Sequence, residues 1–264
     1  MLKKSCLVIV SLLLVTAYFG CGKGKTAVTL AGSTAFQPFA EKLAELYMSA
    51  HPGVTITVQG GGSAVGIQSA NSGAAQIGMA DLVVLPDEAK GLTPTVVAQD
   101  GIAIVVNPKN PVQNLTTDQI RDIFNGKITN WKEVGGNDAP ITVVSREAGS
   151  GTRSSFEQIV KDIKLKKDAL IQDSNGTIRE TVANDANSLG YLSHGLLNDK
   201  IKALTVDGQQ CTPETILAGS YKLVRPIYLL VKGGLQGETK NFIDFILSAE
   251  GQKTIKSQGL LPVK

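Results

Sequence analysis

The sequence predicts an α/β fold built as two lobes, each with a central, mostly parallel sheet flanked by helices. Runs of β-branched residues, such as VTITV from Val54, alternate along the chain with segments whose apolar residues recur every 3.6 positions. Alternating strands and helices favour parallel sheets that are covered by helices. In a chain of 264 residues, two smaller lobes are favoured over one continuous sheet.

The first 20 residues have the pattern of an export signal. Lys3 and Lys4 give a positively charged start, and an apolar run from Leu7 to Ala17 follows them. This run has the length of a signal-peptide core and is too short to span a bilayer. We therefore expect residues 1–20 to be removed on export.

Cys21 directly follows the apolar segment and precedes GKGK. A glycine followed by a cysteine at this place resembles a bacterial lipoprotein cleavage site, at which the cysteine becomes the lipidated N-terminus. Tyr18 and Phe19 depart from that pattern, so simple cleavage and secretion is the alternative. We expect a lipid anchor on Cys21, with residues 21–26 as a flexible tether to the membrane.

Composition argues against several other classes of protein. Removal of the two leader lysines lowers the net charge from +3 to +1, and no basic run supports a nucleic-acid partner. His51 and His194 lie far apart and no cysteine pair accompanies them, so we expect no metal and no cofactor. With Cys21 acylated, Cys211 is alone in the mature chain and no disulfide is expected.

The elements between the leader and the C-terminus are predicted from local patterns. Apolar residues from Phe36 onward indicate a first helix that ends at the HPG of residues 51–53, and Phe242 to Leu247 indicates a helix near the C-terminus. The predicted strands are VTL (28–30), VTITV (54–58), the residues before Asp81, GIAIVV (101–106), ITVV (141–144) and YLLV from Tyr228.

Two turn-forming stretches mark where the chain is expected to cross between the lobes. NPKNP spans residues 107–111 and LVRP spans residues 223–226, and each adjoins a predicted strand. Two crossings make the first lobe discontinuous. We expect it to comprise residues 26–105 and 226–264, with the second lobe formed by residues 106–225.

Three predicted strands pass into a helix through a turn of glycine with serine or threonine: AGSTAF (31–36), GGGSAVG (60–66) and AGSGTR (148–153). A helix N-terminus has unpaired N–H groups and a partial positive charge. Glycine lets a ligand approach the backbone, and hydroxyl groups add donors. In an open α/β sheet such turns meet outside the carboxyl ends of the strands. One such turn would be an ordinary N-cap, whereas three predict an anion site.

Two charged residues complete the predicted site. Arg146 precedes the third turn and can offer an oxyanion a planar, two-pronged donor, whereas Arg153 is expected to face solvent. Asp81 would repel an anion unless that anion carries a proton, because an ionised carboxylate only accepts hydrogen bonds. Asp81 would therefore favour protonated phosphate over fully deprotonated sulfate. The alternative for Asp81 is a helix cap or a solvent-facing turn residue.

Enzyme motifs match the chain poorly. GGGSAVG lacks the lysine of a P-loop and does not fit the dinucleotide pattern GxGxxG. Neither Ser63 nor Ser150 lies in GxSxG, and two histidines give little support to a serine triad. We expect no catalytic residues. A secreted phosphatase-like enzyme that uses Ser63 or Ser150 is the alternative from another class.

Several motifs together resemble a known family. They are AGSTAF, GGGSAVGI, IGMAD, LTTDQIRDIFNGKITNWKEVGG, SREAGSGT and the C-terminal EGQKTIKSQGLLPV. Over nearly all of the mature chain they resemble the phosphate-binding proteins of bacterial phosphate ABC transporters. The resemblance implies a two-lobed, type II periplasmic-binding-protein-like fold with two crossover strands as hinge, a monomer that captures inorganic phosphate, and delivery to permease subunits. The alternative ligand is another oxyanion, such as sulfate, molybdate or tungstate.

The resemblance also implies which residues bind phosphate. Some relatives in this family have an acidic partner two positions after the arginine, where this chain has Ala148. Glu147 is expected to point elsewhere in an extended segment, so that Arg146 would be held less firmly or by another carboxylate. The implied ligands are Thr34, Ala35, Ser63, Asp81, Arg146, Ser150, Gly151 and Thr152, with Ser33 as an additional candidate.

Overall fold

The computed structural model describes residues 26–263, and the predicted signal peptide and Cys21 lie outside them. The protein is a two-lobed, mixed α/β fold with helices packed on a central sheet. Within residues 26–263 no helix is both long and apolar enough to cross a membrane.

The strands are β1 (Thr26–Gly32), β2 (Val54–Gln59), β3 (Ile77–Ala80), β4 (Leu92–Val106), β5 (Asn114–Leu115), β6 (Thr142–Arg146), β7 (Leu170–Gln172), β8 (Ser188–Ser193), β9 (Lys202–Ala203), β10 (Thr205–Val206), β11 (Val224–Lys232) and β12 (Leu261–Pro262). The α-helices are α1 (Gln37–Ala50), α2 (Ser63–Ser72), α3 (Thr117–Phe124), α4 (Gly151–Val160), α5 (Asn175–Asn184), α6 (Pro213–Leu217), α7 (Gly237–Leu247) and α8 (Ala249–Ser257).

The main sheet is parallel at its two ends and antiparallel in its middle. Its strand order is β2-β1-β3-β11-β4-β8-β6-β7. The pairs of β1 with β2 and β3, and of β6 with β7 and β8, are parallel, as predicted for each lobe. Strands β4 and β11 pair antiparallel with each other, and each is also antiparallel to its outer neighbour. The sheet is therefore mixed, because β4 and β11 run between the lobes in opposite directions.

Strand β4 is shared between the two halves of this sheet. Its first part pairs with β11, from Leu92 to Gly101, and its last part pairs with β8, from Ile102 to Val106. Strand β4 continues without a break through this change of partner, so it belongs to both halves of the sheet. The predicted boundaries at 105/106 and 225/226 remain predictions.

Two large clusters of buried apolar side chains flank this change of partner. One contains residues of β1, α1, β3 and α7, including Leu43 and Phe242. The other contains residues of β6, α3, α4 and β8, including Phe124, Phe156 and Tyr191. The rings of Phe156 and Tyr191 stack with centroids 4.2 Å apart. Each half therefore has its own hydrophobic core, and the strands between them carry the connection.

Helix α1 and helix α3 show why the local patterns succeed. Helix α1 ends at Ala50, as the HPG sequence predicts, and buries Phe39, Leu43 and Tyr47. Helix α3 begins with a capping box: the Thr116 hydroxyl accepts from the backbone N–H of Gln119, whose side chain accepts from the N–H of Thr116. This arrangement satisfies two otherwise unpaired donors. Both helices bury one apolar face against a core.

Helix α2 lies unusually close to the sheet because glycines face each other at the contact. A Cβ atom on Gly66 would lie 2.9 Å from the carbonyl oxygen of Ala31 and closer still to that of Met79. A Cβ atom on Gly78 of β3 would meet the backbone of Gly66. Backbone atoms cannot yield as the end of a side chain can, so this contact fixes the height of α2, and of its first residue Ser63, above the sheet.

Gly66→Ala is expected to lower the free energy of unfolding by about 1–3 kcal/mol, because overpacking against backbone outweighs the better helix propensity of alanine. Gly53→Ala is the matched control, since a Cβ atom there would meet nothing within 4 Å. The control is expected to change stability by no more than about 0.5 kcal/mol. Urea unfolding followed by circular dichroism measures both. Equal stability of the two variants would contradict the close contact of α2.

Candidate functional site

The three glycine- and hydroxyl-containing turns meet where the two halves of the molecule face each other. Helix α2 begins at Ser63 and helix α4 begins at Gly151. A Cβ atom on Gly151 would lie 2.7 Å from the carbonyl oxygen of Asp81 and closer still to Oγ of Ser63. The backbone N–H of Ala64 donates to the carbonyl of Gly149 at 3.1 Å. The predicted meeting of the second and third turns is therefore present in the fold.

Asp81 lies at the centre of this contact and is 1% exposed. The hydroxyl of Ser63 donates to Oδ1 at 2.7 Å, and the hydroxyl of Thr152 donates to Oδ2 at 3.0 Å. The N–H of Asp81 donates in turn to Oγ of Ser63 at 3.0 Å. The alternative of a solvent-facing turn residue is wrong, because this carboxylate is buried and accepts hydrogen bonds from residues at the starts of α2 and α4.

Arg146 is the last residue of β6 and is 1% exposed. Its Nε and Nη2 donate to the two carboxylate oxygens of Glu147 at 2.9 and 2.8 Å. The expectation that Glu147 points elsewhere is wrong. Strand β6 ends at Arg146, so the alternation of an extended strand no longer governs the direction of Glu147, whose side chain folds back onto the guanidinium.

The third nitrogen of the Arg146 guanidinium, Nη1, is buried and has no hydrogen-bond partner among the described residues. Nε and Nη2 are also near the carbonyl oxygens of Gln172 and Asp173, at 3.3 and 3.2 Å. Two of the three nitrogens are therefore held by oxygen atoms of the protein, and Nη1 is left as a donor. A buried donor without a partner costs about 1–3 kcal/mol unless a ligand satisfies it.

Arg153 does not face solvent as predicted. Its Nη1 donates to the carbonyl of Arg146 at 2.9 Å, and its Nε pairs with Glu157 at 2.7 Å. Helix α4 carries it back over the end of β6, where it holds the backbone of Arg146. Ser150 caps the same helix by accepting from the N–H of Arg153 at 3.2 Å.

The first turn reaches the site through Thr34. The hydroxyl of Thr34 accepts from the side chain of Asn175 at 3.1 Å and from its N–H at 3.3 Å. Ala35, the next residue, is fully buried. Ser33 is also buried, and its hydroxyl accepts from the N–H of Phe36 at 3.1 Å, which closes the turn before α1.

Two residues of this site are absent from the sequence prediction. Asn175 is the first residue of α5, and besides Thr34 its side chain contacts Oγ1 of Thr152 at 3.4 Å. Arg225 lies on β11, is 1% exposed, and contacts the carboxylates of Asp81 and Asp100. The signal that could have identified Arg225 is a charged residue near the start of a strand whose next residues are mostly apolar.

The electrostatics of the site favour an anion. Helices α2, α4 and α5 all begin here, and a helix N-terminus carries a partial positive charge and unpaired N–H donors. The guanidinium of Arg146 is buried beside them with Nη1 unpaired among the described residues, whereas the charge of Arg225 is compensated by Asp81 and Asp100. Burial raises the pKa of Asp100, whereas the Arg225 guanidinium and the Ser193 hydroxyl act to lower it. Across residues 26–263 no cluster of three or more histidine, cysteine, aspartate or glutamate residues could hold a metal ion.

Comparisons with known proteins identify the family of this chain. A family model described as a PBP superfamily domain matches residues 21–250. The phosphate-binding protein PstS of Bacillus subtilis is 36% identical over 246 residues, which cover 91% of this chain and 82% of that protein. The phosphate-binding protein PstS of Borreliella burgdorferi is 26% identical, and the aligned residues cover 99% of this chain and 99% of that protein.

Solved structures give the same result. A putative phosphate ABC transporter substrate-binding protein with bound phosphate from Clostridium perfringens is 44% identical, with a TM-score of 0.87, over 90% of this chain and 100% of that chain. An ABC-type phosphate transport receptor from Vibrio cholerae is 38% identical, with a TM-score of 0.74, over 89% and 99% of the two chains. The similarity therefore extends over both halves of the fold.

Gly151→Ala is expected to separate the second and third turns, because its Cβ atom would overlap Ser63 and the backbone of Asp81. Small-angle X-ray scattering should show a larger radius of gyration, and thermal unfolding should show a loss of about 1–3 kcal/mol. Gly149→Ala is the control, since its Cβ atom would be at an ordinary 3.4 Å from that of Ala64. A Gly151→Ala variant as compact and as stable as the control would show that the turns are not in contact in solution.

Proposed function

The chain belongs to the PBP superfamily and, within it, to the phosphate-binding PstS proteins, and we propose that it captures inorganic phosphate between its two lobes for an ABC transporter. The observation that carries this proposal is the buried Nη1 of Arg146, a charged donor without a protein partner. It lies in a second-lobe segment that directly contacts the first lobe at Ala64. An oxyanion bound there would satisfy it.

The proposed ligands are the eight residues implied by the family resemblance. From the first lobe, the hydroxyls of Thr34 and Ser63, the N–H of Ala35 and the carboxylate of Asp81 would contact phosphate. The second lobe would contribute Arg146 and, at the start of α4, Ser150, Gly151 and Thr152. Ser33 of the first lobe is an additional candidate.

Asp81 gives the proposed site its selectivity. When phosphate binds, the hydroxyls of Ser63 and Thr152 would donate to phosphate oxygens, and Asp81 would accept the proton that phosphate carries. Sulfate carries no proton at neutral pH, so its oxygens would face an ionised carboxylate without a hydrogen bond between them. The relatives reported above are named as binding proteins, which favours binding over a phosphatase-like reaction.

Closure of the lobes would remove phosphate from water. We propose that residues 26–105 with 226–264 move against residues 106–225, with the crossing strands β4 and β11 near Val106 and Pro226 as hinge. Hydrogen bonds to charged groups contribute roughly 1.5–3 kcal/mol each. A handful of them, less the costs of desolvation and ordering, suffices for the roughly −8 kcal/mol of a micromolar site. The closed form would be the one that the permease recognises.

The proposed location is outside the cytoplasmic membrane. The leader of residues 1–20 would direct export, and a lipid on Cys21 would anchor the protein as a monomer near its permease. Mass spectrometry of the exported protein distinguishes an acylated Cys21 from a simply cleaved chain.

Isothermal titration calorimetry of the chain from Lys23 onward, stripped of bound anions, tests the proposed ligand. Phosphate should bind one to one, and sulfate should bind weakly or not at all at neutral pH. Preference for sulfate, molybdate or tungstate would keep the anion site and change its ligand. Absence of binding by all four anions would contradict the proposed function.

Arg146→Ala is expected to weaken phosphate binding by roughly 10- to 100-fold, because it removes a buried, charge-assisted donor. Arg179→Ala is the matched control, since Arg179 lies on α5 and contacts only Glu180 and the carbonyl of Leu196. Its affinity should stay within about twofold of wild type. Calorimetry measures both, and an unchanged affinity of Arg146→Ala would mean that phosphate binds elsewhere.

Asp81→Asn is expected to lower the ratio of phosphate affinity to sulfate affinity by about tenfold or more, because an amide can donate to an oxygen that carries no proton. Asp87→Asn is the control, since Asp87 is exposed and pairs with Lys90. Competition between the two anions in calorimetry gives the ratio. A ratio that stays at the wild-type value would contradict the role of Asp81 as a proton acceptor.

A further inference from the structure

We propose that Arg225 is a positioning residue that sets anion selectivity by fixing the carboxylate of Asp81 as a hydrogen-bond acceptor. This inference rests on the proposed function. Arg225 is not among the residues expected to touch phosphate. Its role would be exerted through Asp81, whose carboxylate its guanidinium contacts.

The guanidinium of Arg225 lies between two buried carboxylates. Its Nε and Nη2 donate to Oδ2 of Asp100 at 3.2 and 2.8 Å. Its Nη1 lies 2.5 Å from Oδ2 of Asp81, an ion-pair distance at which the atoms are not aligned as a hydrogen bond. All three side chains are at most 2% exposed. One cation therefore compensates two carboxylates that solvent does not reach.

The pairing of three strands explains why Arg225 reaches both carboxylates. Arg225 on β11 lies directly opposite Asp100 on β4 in the antiparallel register. On its other side β11 pairs with β3, whose last residue, Ala80, precedes Asp81. Arg225 therefore lies directly beside Asp100 inside β4 and on the strand next to β3, after which Asp81 follows, close to the point where β4 changes partner from β11 to β8.

A ring of contacts joins this cluster to the second half of the molecule. Oδ1 of Asp100 accepts from the Ser193 hydroxyl at 2.8 Å, and the N–H of Ser193 donates to Oδ1 of Asn175 at 3.0 Å. The side chain of Asn175 contacts Thr152 at 3.4 Å, and the Thr152 hydroxyl donates to Asp81 at 3.0 Å. Asp81, Arg225, Asp100, Ser193, Asn175 and Thr152 form this closed ring. Arg225 is the member that supplies positive charge.

Charge explains why Asp81 needs such a partner. A carboxylate that is removed from solvent needs a cation nearby to compensate its charge. The nearest side-chain cation to the carboxylate of Asp81 is Arg225. Selectivity for a ligand that carries a proton requires that this carboxylate present an acceptor to the ligand, and the contact with Arg225 fixes its position.

Arg225→Gln tests the proposal against a merely structural role of the ion pair. The ratio of phosphate affinity to sulfate affinity should fall by about tenfold or more, with sulfate binding less impaired than phosphate binding. In the Arg225→Lys variant the charge is kept, but the lysine ammonium cannot contact both carboxylates as the planar guanidinium does. The ratio of phosphate affinity to sulfate affinity in this variant should therefore lie between those of Arg225→Gln and wild type. Tyr221→Phe is the destabilising control, since it removes the buried hydrogen bond from the Tyr221 hydroxyl to the carbonyl of Ile102 beside the same crossing and leaves the charged cluster intact.

Coupling between Arg225 and Asp81 provides the second measurement. If Arg225 acts through Asp81, the double variant Asp81→Asn/Arg225→Gln should have the same ratio as Asp81→Asn alone. Additive losses in the ratio would overturn the proposal. Equal losses of phosphate and sulfate affinity in Arg225→Gln would also overturn it, because they indicate a general effect of charge or stability.

The outcomes separate this inference from the proposed function. A wild-type protein that prefers phosphate, with an Arg225→Gln ratio equal to that of wild type, overturns the inference alone. A wild-type protein that does not bind phosphate overturns both. If Arg225→Gln does not fold, Arg225→Lys decides: a ratio below wild type supports the role of Arg225, and a ratio equal to wild type overturns it.

Discussion

The antiparallel pairing of β4 with β11 is the contact on which the rest of the structure depends. Both strands pass between the lobes, so each lobe is built outward from the same pair. The parallel strands on either side then direct the starts of α2, α4 and α5 toward one place. A site assembled from both lobes follows from this topology, because these helices belong to both sides of the β4–β11 pair.

Burial of charge is the main energetic cost of this arrangement. Arg146, Arg225, Asp81 and Asp100 are all nearly inaccessible to solvent, and a buried ion pair often contributes no more stability than apolar residues of similar volume. Their presence is therefore better explained by binding than by stability. The two arginines differ in their contacts. Nη1 of Arg146 has no hydrogen-bond partner among the described residues, whereas Arg225 forms ion pairs with Asp81 and Asp100.

Local patterns in the sequence predicted the parts of this structure that local forces decide. Strand and helix assignments and the three turns follow from β-branching, periodicity and the chemistry of helix N-termini. The burial of Asp81, the direction of Glu147, the contacts of Arg153 and the participation of Arg225 and Asn175 do not follow, because each depends on how far a strand extends or which segment lies beside it. The antiparallel pairing of the two crossing strands depends on tertiary neighbours in the same way, although crossover strands themselves were expected.

The glycines of the turns illustrate how one residue type can be predicted for an incomplete reason. These glycines were expected to let a ligand approach the backbone closely. The nearest neighbours of a Cβ atom on Gly151 would instead be Ser63 and Asp81 of the other lobe. Gly62 is similar, since its Cβ atom would lie 2.8 Å from the carbonyl of Gly149 and its φ is +86°. Small residues here allow the lobes to approach each other. An anion held by donors from both lobes needs that approach, so the same glycines serve closure and binding together.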